Sequence, residues 1–202
     1  MGSEDPRKNL GTLLEALALL KQRGLAVRLL KVGASGHPKY RRALTEQVAS
    51  LGVEDLVTIV GEVADTDLPL FYSAVDAFTL PSHVEGFGLP ALEAMACGTP
   101  VVWSDAGALP EVAGDAAVMV PVGDAEALAA ATANILRDST LRERLVERGL
   151  HRCRQFTWAA TAQHTRAVYD ALQQRGGYEA VRNPLRLRTD GRGTIIGAEQ
   201  AR

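Results

Sequence analysis

Short apolar runs alternate with stretches of helical period along most of this 202-residue chain. Residues 26–32, 56–60, 77–80, 100–103 and 117–120 each read as a short strand, closed by Gly33, Gly61 or Pro81 in the first three cases. Between them lie segments with apolar residues at three- and four-residue spacing. Residues 9–24 carry Leu10, Leu13, Leu14, Leu17 and Leu20 and stop at Gly24, and 39–51 stop at Gly52. A shorter helix is expected over 67–74 with Asp67 as N-cap, another ending at Cys97, and another over 109–113. Continuously apolar strands are covered on both faces, and parallel strands need helical crossovers. The pattern therefore predicts an α/β fold: a Rossmann-like doubly wound parallel sheet with helices on both faces.

Three further helices close the pattern, one from Asp124 with Glu126 in its first turn, one from Ser139, and one over 158–175 behind Thr157 as N-cap. Residues 1–175 are thus expected to form one domain, within the usual range of about 100–200 residues. Beyond Gly176 and Gly177 the periodicity ends. The Arg-rich tail 176–202, interrupted by Gly, Pro and Asp, is expected to be disordered.

Composition narrows the function classes. The net charge of −2 gives no electrostatic footprint for nucleic acid. Cys97 and Cys153 lie far apart and form no metal-ligand spacing, which suits reduced thiols. No apolar run approaches the roughly 20 residues that span a bilayer, and no signal peptide heads the chain. A cytoplasmic protein is expected, with no cofactor and no metal.

Chemistry concentrates in 85–93, EGFGLPALE. Two glycines let this turn bring backbone close to a ligand. Pro90 suits the first turn of a helix, whose N–H groups and dipole favour an anion. Glu85 precedes the turn, and Glu93 is expected within the first helical turn. One carboxylate then lies on each side of a phosphate-binding segment, an arrangement suited to a nucleotide sugar.

Glu85 and Glu93 match the E-x7-E motif of retaining glycosyltransferases, and EGFGLPALEAMACGTPVV resembles glycosyltransferase family 4, the group 1 enzymes with the GT-B fold. PRKNLGTLLEAL, LPLFYSAVDAFTLPS and LPEVAGDAAVMV extend the resemblance over about 2–175. The likeness is to the C-terminal, donor-binding domain. It implies that the first, central strand of the sheet is truncated before Gly2 and Ser3, leaving edges open to self-association. It also implies that the acceptor domain is missing from this chain.

The same resemblance assigns roles. Lys8, with Arg7 beside it, would neutralise the donor diphosphate, although Ser3 stands where the family has an arginine. Gly33, Gly61 and Val63 would border the donor, the latter two near the base. Glu93 would bind the ribose, and Glu85 the transferred sugar near its reacting carbon. The N–H groups of Gly86, Phe87, Gly88 and Leu89 would meet sugar and diphosphate, with Phe87 expected to pack the turn as a wedge. Glu85 and Lys8 are the expected catalytic residues. The implied activity is transfer of a sugar from a UDP-sugar or GDP-mannose with retention, through half an enzyme inactive by itself. A stand-alone nucleotide-sugar-binding module is the alternative.

Overall fold

A computed structural model of the chain describes residues 1–174, 186–189 and 195–199. They fall into two units, Met1–Arg154 and Gln155–Arg202. In the first unit, α1 (Leu10–Gln22) leads to β1 (Leu29–Val32), and α2 (Pro38–Ser50) crosses to β2 (Val57–Gly61). After α3 (Leu68–Ser73), the units β3 (Phe78–Leu80), α4 (Leu89–Ala96), β4 (Val101–Ser104), α5 (Leu109–Ala113) and β5 (Val118–Val120) repeat the crossover twice. Helices α6 (Ala125–Arg137) and α7 (Ser139–Cys153) complete it.

Every strand pairing in this unit is parallel, as the continuously apolar strands predict. The expected single sheet is, however, two sheets. β1 pairs with β2, and β3, β4 and β5 form a separate sheet with β4 central. β1 is also shorter than the apolar run at 26–32, because its ladder begins where Leu29 meets Val57, the first residue of β2. A cavity of about 500 Å³ separates β1 from β3 and is lined by both strands together with α1 residues.

The core is organised around β4, in which Val101, Val102 and Trp103 are fully buried and Ser104 nearly so. Burial of four consecutive strand residues requires cover on both faces, because successive side chains point to opposite sides. Helices α4 and α6 both pack on this strand. Each large apolar side chain removed from water contributes about 1.5–3 kcal/mol. A second cluster joins Leu14, Leu17 and Ala18 of α1 to Leu44 and Val48 of α2 and to Val53. Local signals set the helix starts: Asp124 accepts the Ala127 N–H at 2.8 Å, and Glu126 complements the dipole in the first turn. Asp67 stands at the predicted N-cap of α3, but its side chain makes no capping hydrogen bond.

The second unit holds α8 (Trp158–Gln174), where Thr157 Oγ1 accepts the Ala160 N–H as its sequence position predicts. Within the tail expected to be disordered, β6 (Arg186–Thr189) and β7 (Ile195–Glu199) pair antiparallel. The remaining tail residues lie outside the described residues. Among the described residues, no helix is long and apolar enough to cross a membrane.

Candidate active site

The candidate residues gather at the carboxyl ends of the parallel strands, where open α/β sheets bind ligands. Lys8 ends a 3-10 turn over Pro6–Lys8, fixed by Pro6 and by Asp5, whose side chain accepts the Arg7 N–H at 2.9 Å. Asn9 follows with φ 51°, a left-handed conformation in which Asn is among the best-tolerated residues. That conformation is held by its side chain: Asn9 Nδ2 donates to the Pro81 carbonyl at 3.0 Å, and Asn9 Oδ1 accepts from Thr12 Oγ1 at 3.0 Å. The His83 N–H donates to the Arg7 carbonyl at 2.8 Å. The turn carrying Lys8 is therefore bonded on both flanks to the segment leading into Glu85.

These ties bring Lys8 and Glu85, 77 positions apart, into an ion pair of 2.6 Å between Lys8 Nζ and Glu85 Oε1. The side chains are only 25% and 10% exposed, so the pair is partly shielded from water. Ser82 Oγ donates to the same carboxylate oxygen at 2.7 Å, and the Ser82 carbonyl accepts from Ser104 Oγ at 2.5 Å. Ser82 and Ser104 are both buried, so the end of β4 anchors the loop that presents Glu85. A second constraint comes from Gly107 at φ 57°: any Cβ there would collide with the Glu85 carbonyl.

Helix α4 starts one residue after Gly88, which takes φ 86° as N-cap. Glu93 consequently falls in the second turn, which corrects the expected first-turn position. It is five residues in, past the N–H groups that lack intrahelical partners, and stands on the exposed side of the helix. Its Oε2 accepts from the Tyr72 hydroxyl at 2.7 Å. Tyr72 is 2% exposed. Burial, reinforced by the hydrogen bond to Glu93 and that residue's negative charge, pushes the phenol far above its ordinary value. Tyr72 therefore stays protonated and serves as donor.

The remaining expected residues divide. Gly33 and Gly61 meet directly, the Gly33 N–H donating to the Gly61 carbonyl at 2.6 Å. Gly33 takes φ 114°, and a Cβ there would meet the Gly2 carbonyl oxygen at 2.5 Å, so the chain passes this point only without a side chain. Arg7 does not turn toward Lys8 and Glu85. It pairs with Asp5 at 3.0 Å and is 75% exposed, because the neighbouring carboxylate captures its guanidinium locally. Val63 lies two residues past β2, half-buried. Phe87 is 43% exposed. Leu89 is likewise exposed, and Gly88 is buried.

The cavity between β1 and β3 reaches Lys8 and Tyr72 but includes neither Glu85 nor Glu93 in its walls. The acidic residues thus face a surface outside it. Among the described residues, no group of three or more His, Cys, Asp or Glu side chains is arranged to hold a metal ion. Tyr72, Ser82, Ser104, Asn9 and Thr12 are the site-supporting residues that sequence reasoning did not single out. Only Ser82 carried a local signal, three residues ahead of Glu85.

Residues 1–152 match the family Glycosyl transferases group 1. This chain belongs to that family. It is 38% identical over 174 residues to O-antigen chain mannosyltransferase B of Escherichia coli, covering 85% of this chain and 45% of that protein. Among solved structures, sucrose-phosphate synthase from Thermosynechococcus elongatus superposes with a TM-score of 0.76 at 34% identity, over 87% of this chain and 45% of the other. Anabaena HepE in complex with UDP-glucose gives a TM-score of 0.75 at 27% identity, over 85% of this chain and 48% of the other. The chain spans less than half the length of the curated relatives it matches.

Proposed function

We propose that this chain is the donor-binding, C-terminal half of a retaining family 4 glycosyltransferase. One observation carries the proposal: Lys8 and Glu85, distant in sequence, pair at 2.6 Å at the strand ends, with Glu93 presented by the adjoining helix. A cation and two carboxylates beside a glycine-rich helix start suit a ligand that is anionic at one end and rich in hydroxyls at the other. A nucleoside-diphosphate sugar is such a ligand, and the likeness to a structure holding UDP-glucose supports the class. UDP-sugars and GDP-mannose are the candidate donors, GDP-mannose being favoured by the likeness to a mannosyltransferase.

In this proposal Lys8 leaves Glu85 for the diphosphate and stabilises the charge that builds as it departs. Glu85 then receives hydroxyls of the transferred sugar, and Glu93 receives the ribose hydroxyls. The N–H groups of 86–89 line the sugar and diphosphate, and Gly33, Gly61 and Val63 border the donor. Arg7 contributes positive potential only if its pair with Asp5 opens. The acceptor oxygen attacks the anomeric carbon on the face from which the phosphate leaves. The bond from that carbon to the phosphate oxygen breaks, the new glycosidic bond forms, and the acceptor proton passes to the departing phosphate oxygen. Configuration is retained, and the proposed chemistry uses no metal or cofactor. The protein is proposed to work in the cytoplasm, with the open edges of its two sheets allowing self-association.

Calorimetric titration with a panel of UDP- and GDP-sugars tests this. Saturable binding of one nucleotide sugar, lost in Glu85→Ala, is expected; no binding to any member overturns the proposal. A stand-alone nucleotide-sugar-binding module is the second reading. Transfer restored by adding an acceptor-domain chain would exclude it.

A further inference from the structure

We propose that Tyr72 is a positioning residue: its buried hydroxyl fixes one oxygen of Glu93 so that the other is presented to the donor ribose. The inference rests on the ribose role proposed above for Glu93 and adds a residue to it. Glu93 lies on an exposed helix face, where a three-torsion side chain would otherwise sample many rotamers. A carboxylate that must accept from two neighbouring hydroxyls gains most from being held before the ligand arrives. Tyr72 provides that hold from beneath, its hydroxyl 2.7 Å from Glu93 Oε2.

Tyr72 is itself rigid, which is what a positioning group needs. Its ring is 2% exposed and meets Phe78 edge-on at 5.5 Å and 72°. Its carbonyl accepts from Thr99 Oγ1 at 2.7 Å, which ties the end of α3 to the segment leading into β4. Helix α3 packs directly against α4. The phenol therefore approaches Glu93 from a fixed platform, and as a protonated donor it orients an ionised carboxylate without competing for its charge.

The test compares UDP and GDP with their 2′,3′-dideoxy analogues, which keep base and diphosphate but lack the ribose hydroxyls. Titrations use the full chain, Tyr72→Phe, Glu93→Ala and the double variant. Tyr72→Phe keeps the ring and its packing, so its melting curve should stay near that of the parent. It should bind whichever of the two nucleotides the parent prefers about tenfold more weakly and the matching dideoxy analogue equally well. In the Glu93→Ala background it should cost nothing further, because a group acting through Glu93 has no effect once Glu93 is gone. Equal losses for both ligands would mean a purely structural role, and no loss for either would also overturn the proposal. If Glu93→Ala itself leaves nucleotide binding unchanged, the ribose role falls and takes this inference with it; a loss in Glu93→Ala without one in Tyr72→Phe overturns only the inference. An independent readout uses 3-fluorotyrosine at position 72. Its fluorine resonance should shift with the preferred nucleotide and stay in place with the dideoxy analogue, and an unmoved resonance in both overturns the proposal even if Tyr72→Phe does not fold.

Discussion

Lys8 and Glu85 neutralise one another at 2.6 Å before any donor is present. Because the pair is partly shielded from water, moving Lys8 from Glu85 to a diphosphate exchanges one anionic partner for another instead of leaving the ammonium unpaired. A charge-assisted bond from Lys8 to phosphate contributes about 1.5–3 kcal/mol. Lys8→Ala should therefore weaken nucleoside diphosphate binding at least about tenfold while leaving the plain nucleoside nearly unaffected, and added salt should shrink the difference. Equal losses for both ligands in titration calorimetry would assign Lys8 to the fold instead. Glu93→Ala should cost about 1–3 kcal/mol for the nucleotide, read as a 5- to 150-fold weaker Kd. Free nucleoside diphosphate binding as tightly as to the parent would remove Glu93 from the site. Glu85 and Glu93 stood out in sequence as candidates because the local chemistry of a turn and of a helix start is written in consecutive residues, whereas Lys8 was singled out through the family resemblance. Tyr72 and Asn9 did not, because their partners come from folding: Tyr72 lies 21 residues from Glu93, and Asn9 72 residues from Pro81.

Elements were legible wherever period and stop signal agreed. Helices α1 and α6, with continuous apolar faces and clear ends, follow the sequence closely. The strand predicted over 26–32 shrank to Leu29–Val32 because ladder length is set by the partner strand, which local propensity does not record. Glu93 missed its expected turn because Gly88, rather than a later residue, caps α4. Ahead of the Lys8 turn, a buried cluster links the N-terminal segment to β1 and α2. The Glu4 side chain is 1% exposed and pairs with Lys31 at 3.1 Å and Arg41 at 2.6 Å, and Lys31 Nζ also donates to the Gly33 and Ala34 carbonyls. Burial pushes the Glu4 carboxyl up, but the hydrogen bonds from Arg41 and Lys31 outweigh it and hold the group below its ordinary 4.5. A depressed folded value means that this stabilisation is complete above pH 4.5 and is lost as pH falls through the lower folded value. Removing one partner of such a buried pair costs about 3–5 kcal/mol. Glu4→Gln should accordingly lower the urea midpoint at pH 7 and differ less from the parent at pH 3. Coincident midpoints at pH 7 would show that the cluster does not stabilise the fold.

At the scale of the whole molecule, the fold class was legible because alternation of period is a global pattern, whereas the division into two sheets was not, because which strands pair is decided by tertiary context. Parallel strands hydrogen-bond to neighbours about 4.8 Å away, and among the described residues β1 pairs only with β2 and β3 only with β4. Both strands line the same cavity of about 500 Å³, with Leu13, Leu17 and Leu20 of α1 contributing apolar walls. Met1 also lines it, and the Gly2 N–H donates to the carbonyl of Val32, the last residue of β1, at 3.0 Å. Residues 1–2 thus run beside the end of β1 at one mouth of the gap. A gap with two strand edges, apolar walls and an entry at one end fits a single extended apolar segment that pairs on both sides. A synthetic peptide of five valine and isoleucine residues behind a charged solubilising tag should therefore bind saturably, raise Tm and suppress self-association in sedimentation. The same peptide with proline at alternate positions lacks the needed N–H donors and should do none of these. Equal effects from both peptides would indicate adsorption to apolar surface, and no effect from either would mean that the two sheets are complete as they stand.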